Sequence, residues 1–584
     1  MKVKKALSIF TSCAVALSLG LCGVACGGGD DESGPNPAAP RNTYEYDIPQ
    51  DYCRTYYEVF VRSFADGNGD GIGDFKGLID NLDYLNDGDD ATTEDLGING
   101  IWMMPINSSN SYHKYDVKDY YDVDKEYGTL EDFDKLVEEC NKRDIWIQMD
   151  LVLNHTSSEH AWFRQARTDA RAGKTPETSE AMAKYCFIPT SEVNGRDGYW
   201  EVSGSEYSYL GNFSVEMPDL NLSNTAVREE IKKIVDFWLE RGVHSFRLDA
   251  VPWAFADASI YTEANGEFWT WFNDYCQQKG EKVYGKEGDG INSYCYNVGE
   301  VWTGNMDIEK FFGTGMSCFN YSFGGADDVG FAELANGWGT SDGGWFTGKL
   351  QQIQQGTLEK DPDALLSNFL SNHDNDRSAG YFNYDAVKIK KAAALYLLAP
   401  GNPYIYYGEE IGAAGSGVDP NKRLPFNWGD GRASLKNPPG AKYSGDQRFG
   451  TWKSQNRSTS SILTFYRNAI QLRNRFPEIG RGVMEACGID ASGKITTQSA
   501  IIAAGSSLNS TNSRNSRLAV YTLTWNGRTV LIVHNVGSDE VVLDTSGYAG
   551  YGLVGSLQAN GGRVTLDGTS LTMSAATVAV LKAN

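Results

Sequence analysis

Three carboxylates stand at the ends of short apolar runs: Asp249 in HSFRLDAV, Glu300 in NVGEVW and Asp374 in SNFLSNHD. His155 ends DLVLNH, His373 precedes Asp374, and Arg247 lies two residues before Asp249. Carboxylates gathered in this way suit glycoside hydrolysis. One attacks the anomeric carbon, and a second gives a proton to the leaving oxygen and later takes one from water; retaining enzymes hold the two about 5–5.5 Å apart. Positions i and i+2 of a strand share a face, so Arg247 and Asp249 point the same way. The guanidinium would then keep Asp249 ionised, as a nucleophile must be. A plain structural ion pair would look the same over this segment alone. Glu300 lies among Val298, Val301 and Trp302, an apolar setting that raises a carboxyl pKa toward acid catalysis.

The surrounding pattern says what must position these groups. Apolar residues recur at helical spacing over 130–142, 227–239 and 386–398, with Gly242 stopping the second run. Strand-like runs cover 56–64, 96–105, 144–156, 243–249, 296–302, 365–374 and 402–410. Strands alternating with helices mean an α/β chain with a parallel sheet. About eight such units fit a closed (β/α)8 TIM barrel over 44–475, where chemistry sits at the carboxyl ends of strands. Asp150, Asn154, Arg247, Asp249, Glu300, His373 and Asp374 all fall there. The interval 156–216 is too long for a connection and reads as an inserted subdomain. Beyond residue 476 short strands at 518–525, 529–536 and 577–583, separated by Gly, Asn and Asp, predict a C-terminal antiparallel sandwich over 480–584. SSLNSTNSRNS, 506–516, reads as a mobile loop.

Lys2, Lys4 and Lys5 precede an apolar run that ends at Ala25-Cys26. This is a secretory signal of the lipoprotein kind over 1–26, with Cys26 as the acylated residue and 27–43 a flexible tether. A bacterial cell-envelope location follows, lipid-anchored or secreted, with the membrane as partner through Cys26. Seven cysteines remain after Cys26, so at least one is unpaired. The net charge of −24 and pI near 4.7 exclude a nucleic-acid partner. Fourteen Trp and 32 Tyr suit sugar rings as well as a large core. DGNGDGIGD places Asp66, Asn68, Asp70, the Ile72 carbonyl and Asp74 at alternating positions, an all-oxygen set for calcium. Gly77 stands where an EF-hand has its closing glutamate, so it is not one. A solvated acidic turn is the plainer alternative. A monomer is expected.

DLVLNHT (150–156), MPDLN (217–221), FRLDAV (246–251), NVGEVW (297–302) and SNHDNDR (371–377) occur in an order that resembles the α-amylase family, retaining (β/α)8 hydrolases of α-glucans, in its intermediate MPDLN-type branch. By position the resemblance implies Asp249 as nucleophile, Glu300 as acid/base and Asp374 as the third carboxylate, which holds the sugar. It implies Arg247 beside the nucleophile, His155 and His373 on the sugar, Tyr115 as the platform beneath it, and Tyr112 and His113 among the substrate-binding residues. The acidic loop resembles the calcium loop of the branch that includes oligo-1,6-glucosidases. A second calcium at Asn154 and Asp219 is possible by position, although Asp219 could equally cap a turn. Tyr112, where exo-acting members carry aspartate, and Ala250 after the nucleophile resemble endo-acting α-1,4 enzymes. Trp253 and His244 depart from that pattern. The alternatives are an α-glucosidase, a neopullulanase-like enzyme or a maltogenic transglycosylase. A non-catalytic glucan-binding lipoprotein is the reading from another class.

Overall fold

The computed structural model describes residues 51–89, 92–255, 261–285, 295–302, 305–324, 329–337, 342–429, 435–442, 448–503 and 517–583. The signal, the tether with Cys26, and the 506–516 loop lie outside the described residues. Eight parallel strands close a barrel: β1 (Tyr56–Val59), β2 (Gly100–Met103), β3 (Trp146–Leu151), β4 (Ser245–Leu248), β5 (Val298–Gly299), β6 (Ser317–Asn320), β7 (Ser367–Phe369) and β8 (Asn402–Tyr406). They pair in sequence order, and β1 closes on β8 with Tyr56 opposite Tyr404. The interior is aromatic: Tyr56, Trp102, Phe319, Phe369 and Tyr404 are buried in one cluster. The Tyr56 and Tyr404 rings stack at 4.7 Å. Gly100 leaves room for them, because a Cβ there would lie 2.5 Å from the Tyr56 ring.

The helices follow their apolar spacing. Helix α1 (Leu130–Asn141) buries Phe133, Leu136, Val137 and Cys140, and a Thr129–Asp132 capping box starts it. Helix α2 (Thr225–Glu240), capped by Asn224, buries Val227, Ile231, Ile234, Val235, Trp238 and Leu239. Gly242, at φ 96°, then turns the chain into β4 in a conformation that costs other residues more. Helix α3 (Ala386–Leu397) is capped by Asp385.

Two expectations change. The 56–64 run is a strand only through Val59; Val61–Phe64 form a helical turn. The acidic loop takes up the backbone there, since Gly73 N–H donates to the Arg62 carbonyl at 2.7 Å and Asp74 N–H to the Ala65 carbonyl at 3.0 Å. Strand β6 was not among the strand-like runs, because SCFN sets only Cys318 and Phe319 between polar residues, too short an apolar run to stand out.

The insertion after β3 holds helices Ala161–Arg171 and Glu180–Ala183 and a three-stranded antiparallel sheet. It returns through a bridge between His155 and Asp219. An antiparallel hairpin after β2, Asn107–Ser109 with Val117–Val123, carries residues 110–116 at its tip. Towards the C-terminus a six-stranded antiparallel sheet faces a three-stranded one. Along Leu518–Trp525, Leu518 and Val520 pack into the core between these sheets, while Ala519, Tyr521 and Leu523 pack into the main core with the barrel. The larger sheet is thus buried on both faces. All seven cysteines of the described residues are free thiols. No helix among the described residues is long and apolar enough to cross a membrane.

Candidate active site

The site forms where β1, β3, β4, β5 and β7 end. Arg247, on β4, is almost fully buried. A buried guanidinium must be paired, and three carboxylates surround this one. Its Nη1 lies 2.7 Å from Asp249 Oδ1 and 2.9 Å from Asp150 Oδ1, and its Nη2 lies 2.9 Å from Glu300 Oε2. The expected pairing of Arg247 with Asp249 is present. The expected effect on charge is only partial: burial pushes the Asp249 carboxyl up, and Arg247 pulls it back without cancelling the rise. Glu300 also moves up, through burial first, with Arg247 opposing and Asp249 and Asp374 adding to it.

Ala250 follows Asp249 at φ 50°, a strained left-handed conformation for a residue with a Cβ. Its N–H donates to Glu300 Oε2 at 3.0 Å. The backbone after one carboxylate therefore fixes the other.

A second cluster adjoins the first. His373 is fully buried. Its Nε2 lies 3.0 Å from Asp374 Oδ2 and 2.6 Å from the Tyr115 hydroxyl, and its Nδ1 lies 2.7 Å from Glu58 Oε1. Burial opposes charge on this ring, but Asp374 and Glu58 outweigh it and push the imidazole up to about 9. Burial likewise opposes charge on Asp374, and His373 with Arg423 outweighs it, holding that carboxyl well below its usual range. Arg423 Nη2 lies 2.7 Å from Asp374 Oδ1, and Arg423 Nη1 donates to the Tyr112 hydroxyl at 3.1 Å.

Tyr115 joins the clusters. Its hydroxyl donates to Asp150 Oδ2 at 3.1 Å and accepts from Arg247 Nη1 at 3.3 Å, and its ring stacks on His373 at 5.5 Å. Lys114 before it takes φ 67°, and its buried ammonium is held by Asp124 at 3.2 Å and Glu126 at 2.7 Å. His113 accepts the Tyr115 N–H on Nδ1 at 3.2 Å. Burial, then Arg423, pushes His113 down to about 4, so it is neutral. His155 is buried, pushed down to about 4 by burial, and its Nε2 has no hydrogen-bond partner. A buried unpartnered ring nitrogen is costly, and a sugar hydroxyl would satisfy it. Its ring contacts Phe213 at 5.4 Å, and Phe213 meets Trp253 at 5.6 Å; both aromatics are exposed.

The structure thus unites Tyr112, Tyr115, Arg247, Asp249, Glu300, His373 and Asp374 in one hydrogen-bonded network, with His113 and His155 at its edge. Sequence reasoning gave no role to Glu58, Asp150 or Arg423. Asp150 was visible as a polar residue ending a strand; Glu58 and Arg423 carry no local signal.

The acidic loop lies apart. Asp66 accepts the Asn68, Gly69 and Gly71 amides, Asn68 accepts Asp70 N–H, Asp70 accepts Ile72 N–H, and Asp74 accepts the Gly67, Asn68 and Gly77 amides. Lys436 Nζ donates to the Asp70 carbonyl at 2.5 Å. Among the described residues no three Asp, Glu, His or Cys side chains converge as a metal centre. The donor set is nevertheless all oxygen, with three carboxylates in nine residues, which fits a hard cation in kind. At the possible second position, Asp219 Oδ2 accepts Asn212 Nδ2 at 2.6 Å, and burial pushes Asp219 up to about 7.

Comparison with known proteins supplies the lineage. The family model described as alpha amylase, catalytic domain, matches residues 58–482. Alpha-amylase 3 of Dictyoglomus thermophilum is 34% identical over 447 residues, 74% of this chain and 79% of its own. The 4-alpha-glucanotransferase of Thermotoga neapolitana is 28% identical over 500 residues, 84% of this chain and 97% of its own. The solved structure of Eubacterium rectale Amy13B superposes with a TM-score of 0.80 at 35% identity, covering 94% of this chain and 99% of that one. A closed barrel with clustered carboxylates at its rim, matched through its whole catalytic span, places this chain in the α-amylase family of glycoside hydrolases.

Proposed function

We propose that the protein is an endo-acting α-1,4-glucan hydrolase that cleaves starch, glycogen or maltooligosaccharides with retention. The observation that carries this reading is that one buried guanidinium holds both Asp249 and Glu300, at 2.7 and 2.9 Å. Asp249 attacks the anomeric carbon to form a glycosyl ester. Glu300, kept toward its protonated form by burial, gives its proton to the departing glucan oxygen. Glu300 then takes a proton from water, which attacks the ester and releases the sugar with its anomeric configuration retained. Asp374, ionised between His373 and Arg423, accepts sugar hydroxyls, and Tyr115 lies beneath the ring. Endo action is supported by Tyr112, which is engaged by Arg423 and offers no carboxylate to close the non-reducing end.

A time course on maltoheptaose and pullulan tests the assignment. Several shorter maltooligosaccharides are expected together from the earliest points. Glucose alone would make the enzyme an exo-acting α-glucosidase. Panose- or isomaltose-type products from pullulan would move it to the mixed-specificity branch, and longer products than the substrate would mark transfer, the activity named for the Thermotoga relative.

We also propose that Asp66, Asn68, Asp70, Asp74 and the Ile72 carbonyl hold calcium as a structural ion, and that Cys26 anchors the chain in the cell envelope. When bound, calcium would neutralise the loop's carboxylates. Calcium at a hundredfold excess over its Kd is expected to add about 2.7 kcal/mol to unfolding, read as a higher Tm than in chelator. Asp70→Asn should lose most of that gain. Equal Tm with calcium and with chelator would remove the ion from the account.

A further inference from the structure

Glu58 is the third residue of β1 and is 1% exposed. Its Oε1 lies 2.7 Å from His373 Nδ1 and also accepts the His373 N–H at 3.3 Å. The other ring nitrogen faces Asp374 Oδ2 at 3.0 Å and the Tyr115 hydroxyl at 2.6 Å. The same hydroxyl lies 3.1 Å from Asp150 Oδ2, and with its proton on that carboxylate it presents a lone pair to His373. Both ring nitrogens therefore face acceptors. A neutral imidazole has a single N–H. Either tautomer would set a lone pair against a carboxylate, and only the imidazolium satisfies both sides.

We propose that Glu58 is a positioning residue for the hydrolysis: it keeps His373 doubly protonated, and this imidazolium, together with Arg423, holds Asp374 ionised and in place. The proposal rests on the reading of Asp374 as the sugar-holding carboxylate. It also accounts for a buried carboxylate that is bonded to His373 rather than to Asp249 or Glu300. Charged groups reach His373 from several elements. Glu58 on β1, Asp150 on β3, Asp249 after β4 and Asp374 beside it favour the cation. Like charge opposes it from Arg247 on β4, which shares the Tyr115 hydroxyl with His373, and from Arg423 after β8, whose Nε donates to the His373 carbonyl at 3.0 Å. Tyr115 contributes a neutral acceptor, and the Trp102 indole of β2 meets the ring edge-on at 5.7 Å. The nearest acid on the Nδ1 side is Glu58, so its charge should govern the proton there.

Glu58→Gln in the full chain tests this, because glutamine keeps the volume and an acceptor but removes the charge. The alkaline limb of kcat/KM on maltoheptaose is expected to move acidward by about one to three pH units, the usual effect of one close charge. Glu58→Asp should restore most of that limb even where kcat is lower. Histidine ¹⁵N NMR gives a readout independent of activity, with the His373 signals assigned by their loss in His373→Gln. The parent should show imidazolium at pH 8 and Glu58→Gln the neutral ring. Superimposable pH profiles with an unchanged His373 titration in Glu58→Gln overturn the proposal. So does a neutral His373 in the parent at pH 7, which needs no variant to fold. An inactive parent would instead sink the hydrolase reading, and the NMR titration would still decide the role of Glu58.

Discussion

Asp249→Asn is expected to lower kcat on maltoheptaose by about 10⁴-fold or more, some 5 kcal/mol of barrier, because an amide cannot form the glycosyl ester. Stability should move the other way. Burial already disfavours charge on Asp249, with Asp374 adding to the strain. Asparagine keeps an oxygen for Arg247 Nη1 while removing that charge, so the Tm should be unchanged or higher. This is the opposition of activity and stability that functional sites show. Product release and thermal unfolding on the same preparation check both halves. Retention of more than about 1% of the parent kcat, well above the ~10⁴-fold loss expected, would place the nucleophile elsewhere.

Arg247→Met should produce the largest loss of stability. It strips the cation from Asp150, Asp249 and Glu300 and leaves them buried, a change that costs about 3–5 kcal/mol at pH 7. The pH dependence has a definite sign. Burial raises all three carboxyls in the folded protein even with Arg247 present, and Asp150 reaches about 7. Without the cation they rise further. The folded variant then binds more protons than the unfolded chain, so its stability falls as pH rises. Urea unfolding should therefore show a smaller deficit against the parent at pH 5 than at pH 7. Equal deficits at the two pH values would mean that Arg247 acts by packing rather than by charge.

What the sequence made legible was local. Helix α2 and strand β4 followed from apolar spacing and from Gly242. Asp249, Glu300 and Asp374 were visible as acids ending apolar runs, and the order of the motifs around them carried the family. Hidden were features set by distant partners. The extended character of 56–64 was read correctly as far as Val59, but the acidic loop takes the backbone beyond it. Strand β6 is buried by its neighbours on the barrel wall rather than by its own hydrophobicity. Arg423 reaches Asp374 from beyond β8, and Asp150 is chosen by Arg247 through the pairing of adjacent strands. No spacing rule joins residues so far apart.

The seam between β1 and β8 has a kinetic meaning. Tyr56 pairs with Tyr404, and next to that seam Glu58 meets His373 across 315 positions of the chain. Contacts of such separation form late, since the intervening chain must be ordered before they are rewarded. The insertion and the early βα units can collapse while β1 still has an open edge. The Glu58–His373–Asp374 part of the rim thus depends on closure, whereas Arg247 and its three carboxylates come together on the adjacent strands β3 to β5.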